Sequence, residues 1–92
     1  MKKTAVITGS NRGIGFAIAR QLGLDGYNIV MVATGTSEQN QNSIFALKDL
    51  GIDCTYVQAN IVDHDDRLRI VDEAVAAYGR IDALVNNAGV AP

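Results

Sequence analysis

Residues 8–15, which read Thr-Gly-Ser-Asn-Arg-Gly-Ile-Gly, have the composition and spacing of a loop that could hold a phosphate group. The segment follows a short apolar run and precedes apolar residues at helical spacing, so we expect it to join a strand to a helix. Gly9 would permit a tight turn, Gly13 would let the backbone approach an anion, and Gly15 would let the helix pack closely. Unpaired N–H groups of the first helical turn would then face the anion. The alternative is a glycine-rich turn that binds no ligand. The candidate pyrophosphate-binding residues are Gly9, Ser10, Arg12, Gly13, Ile14 and Gly15.

The segment after the second predicted strand indicates which dinucleotide such a site would prefer. Sites specific for NAD usually place Asp or Glu about 20 residues beyond the glycine loop, where it binds the ribose 2′-hydroxyl. Here no carboxylate precedes Glu38 in that segment. The hydroxyls of Thr34 and Thr36 could donate to a 2′-phosphate, and Arg12 adds a cation with planar donor geometry. We therefore expect NADP(H) rather than NAD(H). The alternatives are that Arg12 is a solvated loop cation and that the two threonines are ordinary turn residues.

Residues 60–61 and residues 86–89 each follow a predicted strand and would lie at the carboxyl edge of a parallel sheet. Ligands bind at that edge in open α/β sheets. Asn60 could pair with the edge of an adenine while Ile61 packs on its face, or Asn60 could only cap the strand. Ala88 and Gly89 are small enough for a ribose or nicotinamide to lie against their backbone. Asn87 could satisfy backbone groups where the strand ends. An ordinary Asn/Gly turn is the alternative for this second segment.

Four apolar runs alternate with three amphipathic segments along the chain. The apolar runs cover residues 4–8, 29–33, 54–59 and 81–85. Gly26, Gly51 and Gly79 are predicted to end the three helices. Ser37 and Asp63 are predicted to cap the starts of the second and third helices. Strands that are apolar on both faces predict a parallel sheet covered by helices on both sides. We therefore expect one α/β domain over residues 1–92, a Rossmann-type three-layer fold with strand order 3-2-1-4 that stops before a fifth strand.

The composition excludes several other classes of protein. The chain is 48% hydrophobic and 20% charged, as in folded globular proteins, and its net charge of -2 with scattered cations does not favour nucleic-acid binding. Cys54 is the single cysteine and His64 the single histidine, which excludes an internal disulfide and makes a metal site unexpected. We expect Cys54 to be a buried strand residue. No run approaches the roughly 20 apolar residues of a membrane-spanning helix, so we expect a cytoplasmic protein.

The loop at residues 8–15 and the Asn-Asn-Ala-Gly segment at residues 86–89, separated by two β/α units, resemble the short-chain dehydrogenase/reductase family. Within that family, the likeness is greatest to reductases that use NADPH on 3-oxoacyl groups of acyl carrier protein. The resemblance implies hydride transfer between the nicotinamide and a carbonyl carbon. It also implies that Asn86 holds the central sheet and that the backbone at Ala88 and Gly89 lies on the ribose side of the cofactor.

The chain departs from the family pattern because it contains no Tyr-x-x-x-Lys pair. The residue four places after Tyr27 is Met31, after Tyr56 it is Asn60, and after Tyr78 it is Asp82. We therefore assign no catalytic residue, and we expect the chain alone to bind nucleotide weakly and to catalyse no reaction. The alternative is a stand-alone, non-catalytic nucleotide-binding or interaction module. A reading frame that continues past Pro92 into a Ser and a Tyr-x-x-x-Lys would favour the enzyme.

The fourth strand would be an open edge in this chain. Exposed strand edges tend to pair with another chain, so we expect a homo-oligomer formed through that edge.

Overall fold

The computed structural model describes residues 2–87. Within that range, four strands alternate with three helices, as the sequence predicts. The elements are β1 (Thr4–Thr8), α1 (Gly13–Leu24), β2 (Asn28–Ala33), α2 (Gln41–Asp49), β3 (Cys54–Gln58), α3 (His64–Tyr78) and β4 (Ala83–Asn86).

The four strands form one parallel sheet in the order β3-β2-β1-β4, which confirms the predicted topology. Thr8 at the end of β1 pairs with Val32 and Asn86, and Ala33 at the end of β2 pairs with Gln58. The carboxyl ends of all four strands therefore lie along one edge of the sheet. The segments that follow them, which contain the predicted site residues, are brought together at that edge.

Helices cover both faces of the sheet, so the central strands β1 and β2 are buried along their whole length. Alternate residues point to opposite faces. Ile7 and Met31 pack with residues of α1 and α2, whereas Val6 and Val30 pack with residues of α3. This two-sided packing explains why both strands read as continuous apolar runs. Cys54 is buried in β3, as predicted.

The helix starts agree with the sequence at α3 and disagree at α2. Asp63 caps α3, because its Oδ1 accepts from the backbone N–H of Asp66 at 3.1 Å. Ser37 was predicted to cap α2, but that prediction is wrong, since Asn40 stands at the N-cap position. The reason is that Thr36 and Gln39 pair with each other across a turn: Thr36 Oγ1 accepts from Gln39 N at 3.1 Å, and Gln39 Oε1 accepts from Thr36 N at 2.9 Å. Because of this turn, α2 begins at Gln41 and not directly after Ser37.

β4 lies at one end of the sheet and has an exposed apolar neighbourhood. The side chain of Leu84 is 68% exposed, and Val71 and Val75 on α3 are also exposed. Oligomerisation through this edge stays a prediction.

No helix within residues 2–87 combines the length and the apolar character that crossing a membrane requires. Over the same residues, His, Cys, Asp and Glu side chains form no cluster of three or more that could hold a metal ion.

Tyr78 at the end of α3 should make the protein less stable in alkali. Its hydroxyl donates to Asp53 Oδ1 at 2.9 Å and accepts from Thr55 Oγ1 at 3.1 Å, and burial raises the pKa of Tyr78 to about 12. An unfolded tyrosine ionises near pH 10, so the folded state holds this proton more tightly. The stability that it contributes is complete below about pH 10 and is lost as the pH rises towards 12.

We expect Tyr78→Phe to reduce the fall in unfolding free energy between pH 10 and 12. Urea titrations of both proteins at several pH values would measure this. The unfolding free energy of the variant should still fall with pH, but less steeply, because burial also raises the pKa of Tyr56 and of Cys54. An alkaline slope equal to that of the unchanged protein would contradict the prediction.

Candidate cofactor-binding site

The loop between β1 and α1 is built on glycines in the left-handed backbone region. Gly9 has φ 64° and Gly13 has φ 60°, a conformation that costs residues with a Cβ about 1–2 kcal/mol. Arg12 is the N-cap of α1, but its side chain makes no capping hydrogen bond, and no acidic residue lies in the first turn. The positive end of the α1 dipole is therefore not neutralised by a carboxylate of that turn, which favours an anion there.

Gly13 and Gly15 serve different purposes in this loop. A Cβ on Gly15 would lie 2.1 Å from the carbonyl oxygen of Gly9 and 2.7 Å from Asn87 Nδ2, so only glycine lets α1 pack so closely there. A Cβ on Gly13 would meet no atom within 4 Å. The backbone at Gly13 thus faces open space, where a ligand could approach it. Ile14 beside it is 73% exposed.

Ser10 ties the loop to the second strand. Its side chain is fully buried, and its Oγ accepts from the backbone N–H of Val32 at 3.2 Å. The backbone N–H of Gly9 donates to the carbonyl of Val32 at 2.8 Å. The hydroxyl of Ser10 therefore contacts β2, which leaves the backbone as the part of this residue that could serve a ligand.

The ends of β1 and β4 are joined through Thr8. Its Oγ1 donates to Asn86 Oδ1 at 3.1 Å and accepts from the backbone N–H of Asn87 at 2.9 Å. Asn87 Nδ2 also donates to the carbonyl of Gly9 at 3.4 Å. Asn87 thus satisfies a backbone group beside the glycine loop. Ala88 and Gly89, the other predicted residues of this segment, lie outside the described part of the chain.

A cavity of about 290 Å³ opens at the carboxyl edge of the sheet, between the glycine loop and the ends of β2 and β3. Its volume is near the lower end of the range for small-molecule sites, roughly 300–1,000 Å³. Of the predicted site residues, those that line it are Gly9, Arg12, Thr34, Asn60 and Ile61. The predicted residues outside the lining are Ser10, Gly13, Ile14, Gly15, Thr36 and Asn87. The structure therefore brings three separate predicted segments together around one space.

Asn60 both caps a turn and presents a donor. Its Oδ1 accepts from the backbone N–H of Val62 at 3.2 Å, and its own N–H donates to Asp66 Oδ2 at 2.8 Å. This backbone hydrogen bond, helped by Arg69, holds the pKa of Asp66 below its ordinary range. The Nδ2 group of Asn60 has no partner among residues 2–87, so it remains available at the cavity wall.

The N-cap residue of α2 contacts the glycine loop through side chains that no pattern in the sequence indicates as site residues. Asn11 Nδ2 donates to Asn40 Oδ1 at 3.0 Å, and Asn40 Nδ2 donates to the hydroxyl of Tyr56 at 2.9 Å. The hydroxyl of Tyr56 in turn donates to the carbonyl of Gly35. These residues are far apart in sequence and are ordinary in type, so no local pattern indicated the contact.

The hydroxyls of Tyr56 and Tyr78 form hydrogen bonds that hold elements of the fold together. Tyr78 bonds to Asp53 and Thr55 near the amino end of β3, which is the edge opposite the cavity. Tyr56 bonds to Asn40 and Gly35, and burial raises its pKa. Neither tyrosine lines the cavity.

The chain is similar to known dehydrogenases over nearly its whole length. The short chain dehydrogenase family matches residues 3–92. The chain is 40% identical over 90 residues to a 3-oxoacyl-acyl-carrier-protein reductase of Staphylococcus aureus, covering 98% of this chain and 37% of that reductase. A short-chain dehydrogenase/reductase of Sinorhizobium meliloti superposes with a TM-score of 0.90 at 38% identity, covering 99% of this chain and 42% of the other.

A metagenomic short-chain oxidoreductase, solved in complex with NADP, superposes with a TM-score of 0.86 at 36% identity, covering 96% of this chain and 39% of the other. The chain thus spans well under half the length of these relatives. The sheet order agrees with the resemblance that the two glycine-containing motifs indicate. Because the family matches residues 3–92, the chain belongs to the short-chain dehydrogenase family of oxidoreductases.

Proposed function

We propose that this chain is the NADP(H)-binding portion of an oxidoreductase that transfers hydride between the nicotinamide and a carbonyl or hydroxyl group of its substrate. The observation that carries the proposal is the cavity at the carboxyl edge, which adjoins the glycine loop and the open N-terminus of α1. The exposed backbone of Gly13 supports the placement of the pyrophosphate at the first turn of α1, at residues 13–15. Ser10 would contribute through its backbone.

The adenosine end would lie in the cavity itself. The unpartnered Nδ2 of Asn60 would donate to a ring nitrogen of the adenine, and Ile61 would pack against the ring face. Asn87, Ala88 and Gly89 would border the ribose on the nicotinamide side. These assignments extend what the family membership gives in outline.

The choice of NADP(H) over NAD(H) depends on charge at the cavity rim. Arg12 and Thr34 both line the cavity, and Thr36 follows closely along the chain. Thr36 Oγ1 accepts from Gln39 N, which leaves its proton to donate. An acid in this position would repel a 2′-phosphate, and residues 33–37 contain none. The NADP bound to the related metagenomic oxidoreductase agrees with this choice.

When bound, the cofactor would supply or accept the hydride. The residues of this chain would orient it, whereas the group that protonates the substrate would come from outside this chain. A non-catalytic nucleotide-binding module remains the second candidate function. A coding sequence that supplies a Tyr-x-x-x-Lys pair after Pro92 would exclude this second candidate, and a natural stop there would favour it.

Substitution of Arg12 tests the cofactor preference. We expect Arg12→Ala to weaken NADPH binding by about tenfold and NADH binding by less than about twofold, because only NADPH presents a phosphate to the guanidinium. Calorimetric titration of both dinucleotides would measure this. Arg20→Ala, which removes an exposed cation from α1, is the matched control. Equal affinities of the unchanged protein for NADPH and NADH would contradict the proposed preference.

A further inference from the structure

We propose that Asn40 is a positioning residue that sets Arg12 in place for a 2′-phosphate; this inference rests on the proposed function. Asn40 stands at the N-cap of α2, yet its side chain makes no capping bond to that helix. Its amide instead joins three other segments. Oδ1 accepts from Asn11 Nδ2 at 3.0 Å, and Nδ2 donates to the carbonyl of Thr36 at 3.0 Å and to the hydroxyl of Tyr56 at 2.9 Å.

Asn11 is held by α2 at two points. Its side chain donates to Asn40, and its backbone carbonyl accepts from Ser43 Oγ. The next residue, Arg12, has an extended backbone and lines the cavity. Its side chain makes no hydrogen bond or ion pair to another of residues 2–87. The position of the guanidinium therefore depends on where the backbone at Asn11 is held.

The same amide also fixes the turn after β2. The carbonyl of Thr36 accepts from both the backbone N–H and the Nδ2 of Asn40. Tyr56 donates its proton to the carbonyl of Gly35 and can therefore accept from Asn40 Nδ2. Both N–H groups of Asn40 Nδ2 and the oxygen Oδ1 are thus engaged by the glycine loop, this turn and β3. Asn40 consequently couples the positions of Arg12 and Thr36, two of the groups proposed to bind one phosphate.

The experiment compares two ligands that differ in the 2′-phosphate. Adenosine 2′,5′-bisphosphate carries it and adenosine 5′-monophosphate lacks it, and neither needs the nicotinamide side of the site. We expect Asn40→Ala to lower the affinity for the bisphosphate by about tenfold, which is within the range for directly coupled neighbours. The affinity for the monophosphate should fall by less than about twofold. Asn42→Ala, an exposed asparagine of the same helix, should change neither affinity.

A double-mutant cycle with Arg12→Ala separates positioning from general structural support. If Asn40 acts mainly through Arg12, adding Asn40→Ala to Arg12→Ala should lower bisphosphate affinity by no more than about threefold, because only the placement of Thr36 is then still lost. The inference would be overturned if Asn40→Ala lowered bisphosphate affinity equally in the presence and in the absence of Arg12. It would also be overturned if Asn40→Ala lowered the affinities for both ligands equally. Tyr56→Phe removes one of the two acceptors of Asn40 Nδ2 with little change in volume. It should show a selective loss in the same direction, and it tests the inference independently should Asn40→Ala fold poorly.

The outcomes distinguish this inference from the proposed function. If Arg12→Ala discriminates between the two ligands and Asn40→Ala does not, the positioning role is wrong while the NADP(H) site stands. If the unchanged protein binds both ligands equally well, or binds neither, the proposed preference fails and the positioning role fails with it.

Discussion

Replacing Gly15 with alanine is expected to lower the free energy of unfolding by about 2 kcal/mol. The new Cβ would lie 2.1 Å from the carbonyl oxygen of Gly9 and 2.8 Å from its carbonyl carbon. These are backbone atoms, so α1 or the loop must shift, and overpacking of this kind costs typically 1–3 kcal/mol and sometimes more. Alanine favours a helix over glycine by roughly 1 kcal/mol, which offsets part of a cost at the upper end of that range. Urea unfolding would measure the difference.

Gly23→Ala in the same helix is the matched control. Its Cβ would meet atoms of the Ile52 side chain, the nearest at 2.6 Å, and a flexible side chain can move where a backbone carbonyl cannot. Helix propensity should then offset most of the cost, and the expected change is below about 1 kcal/mol. If Gly15→Ala were no more destabilising than Gly23→Ala, the close approach of α1 to the Gly9 carbonyl would be contradicted.

The fold could be predicted because its signals are local and agree with one another. β1 and β2 are apolar on every residue since helices cover both of their faces, and that pattern is readable without coordinates. Asp63 caps α3 from the expected position, and Gly79 ends it with φ 78°. Right-handed crossovers then leave few strand orders, of which the observed one was expected.

The outline of the cavity could be predicted for a similar reason. Arg12, Thr34 and Asn60 follow three different strands, and parallel strands must place their carboxyl ends along the same edge. For these three residues, the chain position relative to the preceding strand was therefore sufficient to place them at the cavity, whereas Thr36, which also follows β2, lies outside its lining.

The hydrogen bonds that join the elements around the site could not be predicted. Asn11 and Asn40 are 29 positions apart, and their contact depends on how α2 sits beside the glycine loop. Ser10 was predicted to bind a pyrophosphate, but its hydroxyl is buried against β2. Ser37 and Asn40 are equally good N-cap types, and the choice between them is made by the Thr36–Gln39 turn. Such contacts depend on packing between elements, which residue type alone does not reveal.

Placing a carboxylate at Gly13 is expected to weaken NADPH binding by about a hundredfold. The backbone at this position faces open space next to the N-terminus of α1, where the pyrophosphate is proposed to lie. Two like charges about 4 Å apart near a protein surface repel by up to roughly 4 kcal/mol, which exceeds the energy needed for that loss. Gly13→Asp, measured by calorimetric titration at low ionic strength, should show the loss, and added salt should reduce it.

Gly13→Asn separates the charge from the backbone cost. Asp and Asn have nearly the same shape, and both tolerate the left-handed conformation that Gly13 adopts at φ 60°. Gly13→Asn should therefore be about 1 kcal/mol less stable than the unchanged protein, and Gly13→Asp should lose less by about 0.5 kcal/mol, because its carboxylate meets the positive end of the α1 dipole. Gly13→Asn should lower the affinity for NADPH by about tenfold at most, since it adds bulk without charge. Equal losses for the two variants would mean that no anion comes close to Gly13, because the carboxylate would then have nothing to repel.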